Sequence, residues 1–262
     1  MAIHIGVITT LHGAFQVLGE DSIRGVELAI AEVGGAVGGH EIRFTVEGTY
    51  GDPESTRNVT EQLLNDQQID LVIGPLSGNE GLMMRNLSRS YPDRTFLNGA
   101  SGAQNLTLPE GSPNFFSFNY NGGQSVAGLG GYAYEQLGYR RIATLGEQYS
   151  FPFAQVGTFT FEFCQAGGSI VRKFWVPVMS YDFSEMIAAL PEDIDALFVA
   201  LGGMDAIEFL KQMADSGHQL PIIGGAISAD QSVLSAEGIE GDYLVGMIAG
   251  GPTADDMNRE EW

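Results

Sequence analysis

The chain alternates short apolar runs with amphipathic stretches. Nine runs read as β-strands, over 3–9, 41–47, 70–74, 94–98, 140–146, 169–176, 196–201, 221–224 and 243–248. Over 22–33, Ile23, Val26, Leu28, Ala29, Ile30 and Val33 fall largely on one helical face. Asp52-Pro53 opens a second helix, with Asp52 suited to the cap and Pro53 to the first helical position. A third helix covers 206–215 and stops at Gly217. Strands and helices alternating at this spacing predict an α/β fold with parallel sheets flanked by helices on both faces.

The rhythm breaks once. Residues 99–123 hold a loop, one extended run at 115–119, and further Gly and Asn, after which the alternation restarts. A crossing between two Rossmann-like lobes has this form. The boundary is expected near Asn119, leaving halves of 119 and 143 residues, each the size of a domain.

Composition narrows the function classes. With 12 basic and 33 acidic residues the formal charge is −21. Such a field repels nucleic acid and anionic membrane surfaces, so no nucleic-acid partner is expected. No apolar run reaches the ~18 residues that span a bilayer, so no membrane insertion is expected. The single cysteine, Cys164, excludes an internal disulfide and a thiolate cluster. It lies in the apolar helical stretch 161–164 and is expected to be a buried small hydrophobe. Met1-Ala2 leads straight into a strand, as in a cytosolic protein or one whose leader has been removed.

Catalytic motifs are missing. There is no phosphate-binding loop, no dinucleotide fingerprint after a strand and no nucleophile elbow. The four histidines, His4, His12, His40 and His218, are not spaced as a metal pair, and only His12 sits at the carboxyl end of a strand. Neither catalysis, metal nor cofactor is expected. What remains is a set of strand-end loops with binding chemistry, where open α/β sheets hold ligands. Phe15 and Gln16 follow the first strand. Ser77 and Asn79 lie at the start of a helix, where a hydroxyl and free backbone N–H groups either hold a carboxylate or simply cap the helix. Ala100, Ser101 and Gly102 follow the next strand. In the second half, Tyr149 and Phe151 offer either a stacking wall or core. Met204 and Asp205 follow one later strand and Ala226 another.

At these residues the chain resembles the type I periplasmic substrate-binding proteins of the branched-chain amino acid (Leu/Ile/Val-binding) group of ABC transporters. The resemblance is carried by Gly13-x5-Gly19-x5-Gly25-x-x-Leu28-Ala29, Asp52-Pro53, Ile73-Gly74-Pro75-Leu76-Ser77-Gly78, Leu106-Thr107, Gly167-Gly168, Asp182-Phe183-Ser184 and Asp195-Ala196-Leu197-Phe198. It continues in Phe209-Leu210-Lys211-Gln212, Ser216-Gly217 and Gly241-Asp242-Tyr243. It implies two lobes, 1–119 (with 249–262 returning to it) and 120–248, around a cleft that closes on a ligand. It implies that Ser77 holds a ligand carboxylate, that the 100–102 loop holds carboxylate and ammonium, with Gly102 in place of a frequent hydroxyl residue, and that Tyr149 covers the ligand.

Two departures qualify the resemblance. Amino-acid binders carry an acidic residue for the ammonium where this chain has Gly225-Ala226, and Met204 stands near an often aromatic position. An ammonium without a counter-charge is costly in a dry cleft, so a neutral or anionic ligand is expected, although Asp205 offers a cation partner. The chain stops at Trp262, where family members recross to the first lobe, so the C-terminal part of the family fold is expected to be missing. The function implied is an extracytoplasmic solute-binding protein of an ABC-type importer. It would be a monomer, periplasmic or at the cell surface, that serves a membrane permease. The alternative is a cytosolic or receptor-linked sensor of the same fold.

Overall fold

A computed structural model describes residues 2–66, 68–107, 111–236 and 244–251. The chain divides into two compact units, residues 1–121 with 149–151, and residues 122–148 with 152–262.

The first unit comprises β1 (Ile3–Thr10), α1 (Gln16–Glu32), β2 (Ala36–Val37), β3 (His40–Thr49), α2 (Pro53–Asp66), β4 (Leu71–Ile73), α3 (Gly78–Ser88), β5 (Thr95–Leu97) and β6 (Phe115–Phe116). Its sheet runs β2-β3-β1-β4-β5-β6. All pairings are parallel except the β2–β3 hairpin. Val7 lies opposite both Val46 and Ile73, so these three share a face. The other face carries Ile8, Val72, Phe96 and Phe115, which pack with Leu63, Met84 and Leu87 of α2 and α3. The face toward α1 is less completely filled. A groove of about 420 Å³ remains there, lined by Val7, Val26, Ile30, Ile73 and Ala100 among others.

Local chemistry sets the helix ends. Asp52 Oδ1 accepts the N–H groups of Glu54 and Ser55, each at 2.9 Å, and Pro53 is the first residue of α2. The Ser55 backbone and hydroxyl hold the Asp52 carboxyl below its ordinary range. The helix expected to start at residue 22 starts at Gln16 instead. Gly19 permits this, because a Cβ there would fall on the Thr10 carbonyl, so only glycine lets α1 pass so close to β1.

The second unit holds a 3₁₀ turn (Gln124–Val126), α4 (Leu129–Glu135), β7 (Arg141–Glu147), α5 (Ser150–Ala166), β8 (Ser169–Val176) and α6 (Ser184–Ala188). It continues with β9 (Ala196–Ala200), α7 (Gly203–Ser216), β10 (Ile222–Gly224), α8 (Gln231–Leu234) and β11 (Ile248–Ala249). The first two residues of α5 group with the first unit. The strand order is β11-β10-β9-β7-β8, all parallel. Alternate residues of β9 serve opposite cores. Leu197 and Val199 join Phe183, Phe209 and Met213, while Phe198 joins Phe159 and Phe163. Phe159 stacks on Phe198 at 4.2 Å between ring centroids.

Two expectations change, and a third falls mostly outside the described residues. Cys164 is exposed, because Phe163 beside it takes the inward position on α5. Of the strand expected over 243–248, residue 243 lies outside the described residues and only Ile248 belongs to a strand, β11. Gly246, at φ +89°, and the Met247 N–H donated to the Leu244 carbonyl turn the chain just before it. Of the segment expected to return to the first lobe, Ala249 pairs with Gly224, and residues 252–262 lie outside the described residues.

Candidate functional site

In the first sheet β3 lies on one side of β1 and β4 on the other, which makes the carboxyl ends of β1 and β4 a topological switch point. The 11–15 loop leaves β1 there. Phe15 is buried, and its ring lies 5.9 Å from that of Tyr149. Gln16 is exposed, and its side-chain amide donates to Glu20 at 2.9 Å.

The β4–α3 turn is held by a carboxylate that the candidate set lacked. Ser77 is the N-cap of α3, and its hydroxyl accepts the Glu80 N–H while Glu80 accepts the Ser77 N–H at 2.8 Å. The Ser77 hydroxyl also donates to the Gly51 carbonyl at 3.1 Å. Glu80 is fully buried. It accepts hydroxyls from Thr10 at 3.2 Å and Thr49 at 2.5 Å. Thr56 Oγ1 lies 2.7 Å from Glu80 and 2.8 Å from the Asp52 carbonyl, and its one proton serves one of them at a time. One buried carboxylate thus ties β1, β3, α2 and α3 together at the binding end of the sheet. Its signal was the Ser77-x-x-Glu80 spacing of a capping box.

Around α3 the other first-unit candidates gather. Asn79 Oδ1 accepts the Ser150 N–H at 3.3 Å. The Ser101 carbonyl accepts the side-chain amides of Asn98 at 2.7 Å and Asn119 at 2.9 Å. Three buried oxygens have no partner: Ser101 Oγ, Ser150 Oγ and Asn98 Oδ1. Ser150 Oγ lies against Gly78, and Ser101 Oγ against Gly81, one turn further along α3. The opening N–H groups of a helix have no intrahelical acceptor, and its start carries partial positive charge. Ala100 is exposed, and its N–H donates to the Pro75 carbonyl at 3.1 Å. A Cβ at Gly102 would sit 2.5 Å from the Phe151 ring, so the buried phenyl fills the space a side chain there would take.

In the second sheet the switch point lies between β7 and β9. Met204, in the first turn of α7, is 44% exposed. Asp205 is fully buried and accepts the N–H groups of Met179 at 2.7 Å and Tyr181 at 3.5 Å. Both residues have left-handed φ, +65° and +48°. The carboxylate therefore braces a strained loop after β8. Ala226 is half-buried after β10. Gly225 N–H donates to the Val199 carbonyl at 2.7 Å. Among the described residues no group of three or more His, Cys, Asp or Glu is placed to hold a metal, and no helix is long and apolar enough to cross a membrane.

Residues 2–261 match the family model described as periplasmic binding protein. The chain belongs to that family. An ABC transporter substrate-binding protein from Sphaerobacter thermophilus is 31% identical with a TM-score of 0.81, over 94% of this chain and 68% of that one. A solute-binding protein from R. palustris, solved with benzoate, is 22% identical with a TM-score of 0.90, over 100% of this chain and 71% of that one. A leucine-binding protein from Thermotoga maritima is 17% identical with a TM-score of 0.84, over 95% of this chain and 69% of that one. No protein of curated function matches the sequence.

This periplasmic binding protein therefore spans about two thirds of the length of those relatives. The family and its structural neighbours are solute-binding proteins rather than enzymes. The second unit also has a cavity of about 540 Å³, lined by Leu137, Tyr139, Gln219, Ile222 and Met247 among others. It lies toward the amino ends of the strands, opposite the switch point. Burial, and secondarily the Asp195 charge, raise the Tyr139 hydroxyl above its ordinary range.

Proposed function

We propose that this periplasmic binding protein carries a small organic carboxylate, aromatic or aliphatic, for an ABC-type importer. The observation that carries the reading is the start of α3. The Ser77 cap, the opening N–H groups and the unpartnered Ser150 hydroxyl lie there, with the unpartnered, fully buried Ser101 hydroxyl one turn further along. The Phe15 and Tyr149 rings supply an apolar wall beside it. The chain has no acidic residue at Gly225-Ala226, and Asp205 is engaged by backbone N–H groups, so an α-ammonium gains no counter-charge from either. A carboxylate without an ammonium is favoured over leucine-like ligands, in line with the benzoate bound by the R. palustris protein. The ligand favours a closed arrangement of the two lobes, which a membrane permease reads at the periplasmic face.

A thermal-shift panel of benzoate, hexanoate and leucine tests this. A ligand at a hundred times its Kd adds ~2.7 kcal/mol. Benzoate or hexanoate is expected to raise the Tm and leucine to leave it unchanged. Ser101→Ala is expected to weaken binding about tenfold, the loss of one good hydrogen bond, with little effect on the ligand-free Tm, because its hydroxyl has no partner to lose. A shift with leucine alone overturns the reading.

A further inference from the structure

The groove between α1 and the first sheet has a polar end and an apolar end. Ile5, Val7 and Thr9 alternate onto the face it occupies, while Thr10 turns to the other face and meets Glu80. Thr9 is 2% exposed, and its hydroxyl has no partner. Gly19 lies against the Thr10 carbonyl, so Ser22, one turn along α1, stands at the same end of the groove. The Ser22 hydroxyl donates to the Leu18 carbonyl at 3.0 Å and keeps its acceptor positions. The opposite end is hydrocarbon. Ile30 and Ile42 close it, joined through Gly35, whose N–H donates to the Ile30 carbonyl and whose carbonyl accepts the Ile42 N–H. Among the described residues no charged side chain lines the groove.

We propose that this groove is a separate binding site for a neutral amphiphile, an aliphatic chain that carries one hydroxyl. Its volume of about 420 Å³ falls in the ~300–1,000 Å³ range of small-molecule pockets. From Ile5 to Thr9 the floor runs four strand residues, about 13 Å, which suits a medium-length chain. The chain lies toward Ile30 and Ile42, and its hydroxyl meets Thr9 and Ser22. Two staggered χ1 wells are common in strands, so the Thr9 hydroxyl and methyl exchange places at small cost and the hydroxyl turns to the ligand. A carboxylate gains no counter-charge in this groove, so its ligand differs in class from the one proposed for the start of α3. The site is complete within the first unit and does not rest on the carboxylate reading.

Methyl-detected NMR titration of the ¹³C-labelled full chain with 1-octanol tests the site. The methyls of Val26, Ile30 and Ile73 are expected to shift saturably, with or without excess benzoate. Thr9→Val keeps the shape and removes the hydroxyl, and it is expected to weaken 1-octanol about tenfold. Gly25 lines the groove, and a Cβ there meets nothing within 4 Å. Gly25→Leu therefore sets a side chain into the groove while favouring the helix, and it is expected to abolish the shifts. Circular dichroism establishes that each variant folds, and either one alone decides the matter. The proposal is overturned by no shift in the parent, by shifts confined to Leu137, Ile222 and Met247 around the second unit's cavity, by loss of the shifts with benzoate, or by unchanged affinity in a folded variant. A parent dimer in sedimentation that Gly25→Leu dissociates also overturns it, because the groove then belongs to a second copy of the chain.

Discussion

Truncating Glu80 removes the group on which the candidate site is mounted. Four donors face its carboxylate: the hydroxyls of Thr10, Thr49 and Thr56 and the Ser77 N–H. Two of them have somewhere else to turn. Thr56 reaches the Asp52 carbonyl, and Thr49 lies 3.4 Å from Thr10 Oγ1. Thr10 and the Ser77 N–H lose their acceptor. Stranding about two buried donors costs ~1–3 kcal/mol each, and the lost methylene adds ~0.8 kcal/mol. Relief of the carboxylate's own desolvation offsets part of this, leaving about 3 kcal/mol for Glu80→Ala. Glu80→Gln keeps the shape and one oxygen for the Ser77 N–H, while the threonine hydroxyls rotate to accept, so about 1 kcal/mol is expected. Urea unfolding followed by far-UV circular dichroism reads both variants. Trp175 lies in β8 of the second unit, so a Trp262→Phe background leaves its indole fluorescence as the control for that unit. A Glu80→Ala chain within about 1 kcal/mol of the parent would refute the idea that this carboxylate organises the first unit.

Two further substitutions test the braces described above. Asp52→Ala is expected to cost about 1 kcal/mol at pH 7 through loss of the α2 cap. Because the Asp52 carboxyl is held below its ordinary value of 3.8, its contribution is present above that pH and is lost as pH falls through the depressed value. The parent and variant melting curves should therefore converge in acid, and a constant gap down to the acid transition would contradict the assignment. Asp205→Ala is expected to speed amide exchange across residues 178–183 and to cost about 2 kcal/mol, since two N–H groups lose a charged acceptor. Unchanged exchange there would show that the left-handed residues are held by other means.

The alternating pattern made the α/β architecture legible because buried parallel strands read as apolar runs, as in β1, β7 and β9. Pro53 and Gly217 marked helix ends through local backbone chemistry alone. The start of α1 was hidden because Gly19, a poor helix former, is there for a close approach to Thr10 that only the folded chain makes. Ser77 could be read as a cap, but the Glu80 cluster joins residues 10, 49, 56 and 80, which no local window brings together. Asp205 looked like a free counter-charge because its acceptor role depends on a loop 24–26 residues away.

The central claim places a carboxylate at the start of α3 in the first unit. Backbone amide NMR shifts of the ¹⁵N-labelled chain during titration with benzoate test it most directly. The largest changes are expected at Gly78, Asn79, Ser101 and Gly102, with Tyr149–Phe151 following. Changes confined to Tyr139, Gln219 and residues 245–248, around the second unit's amino-end cavity, would contradict it.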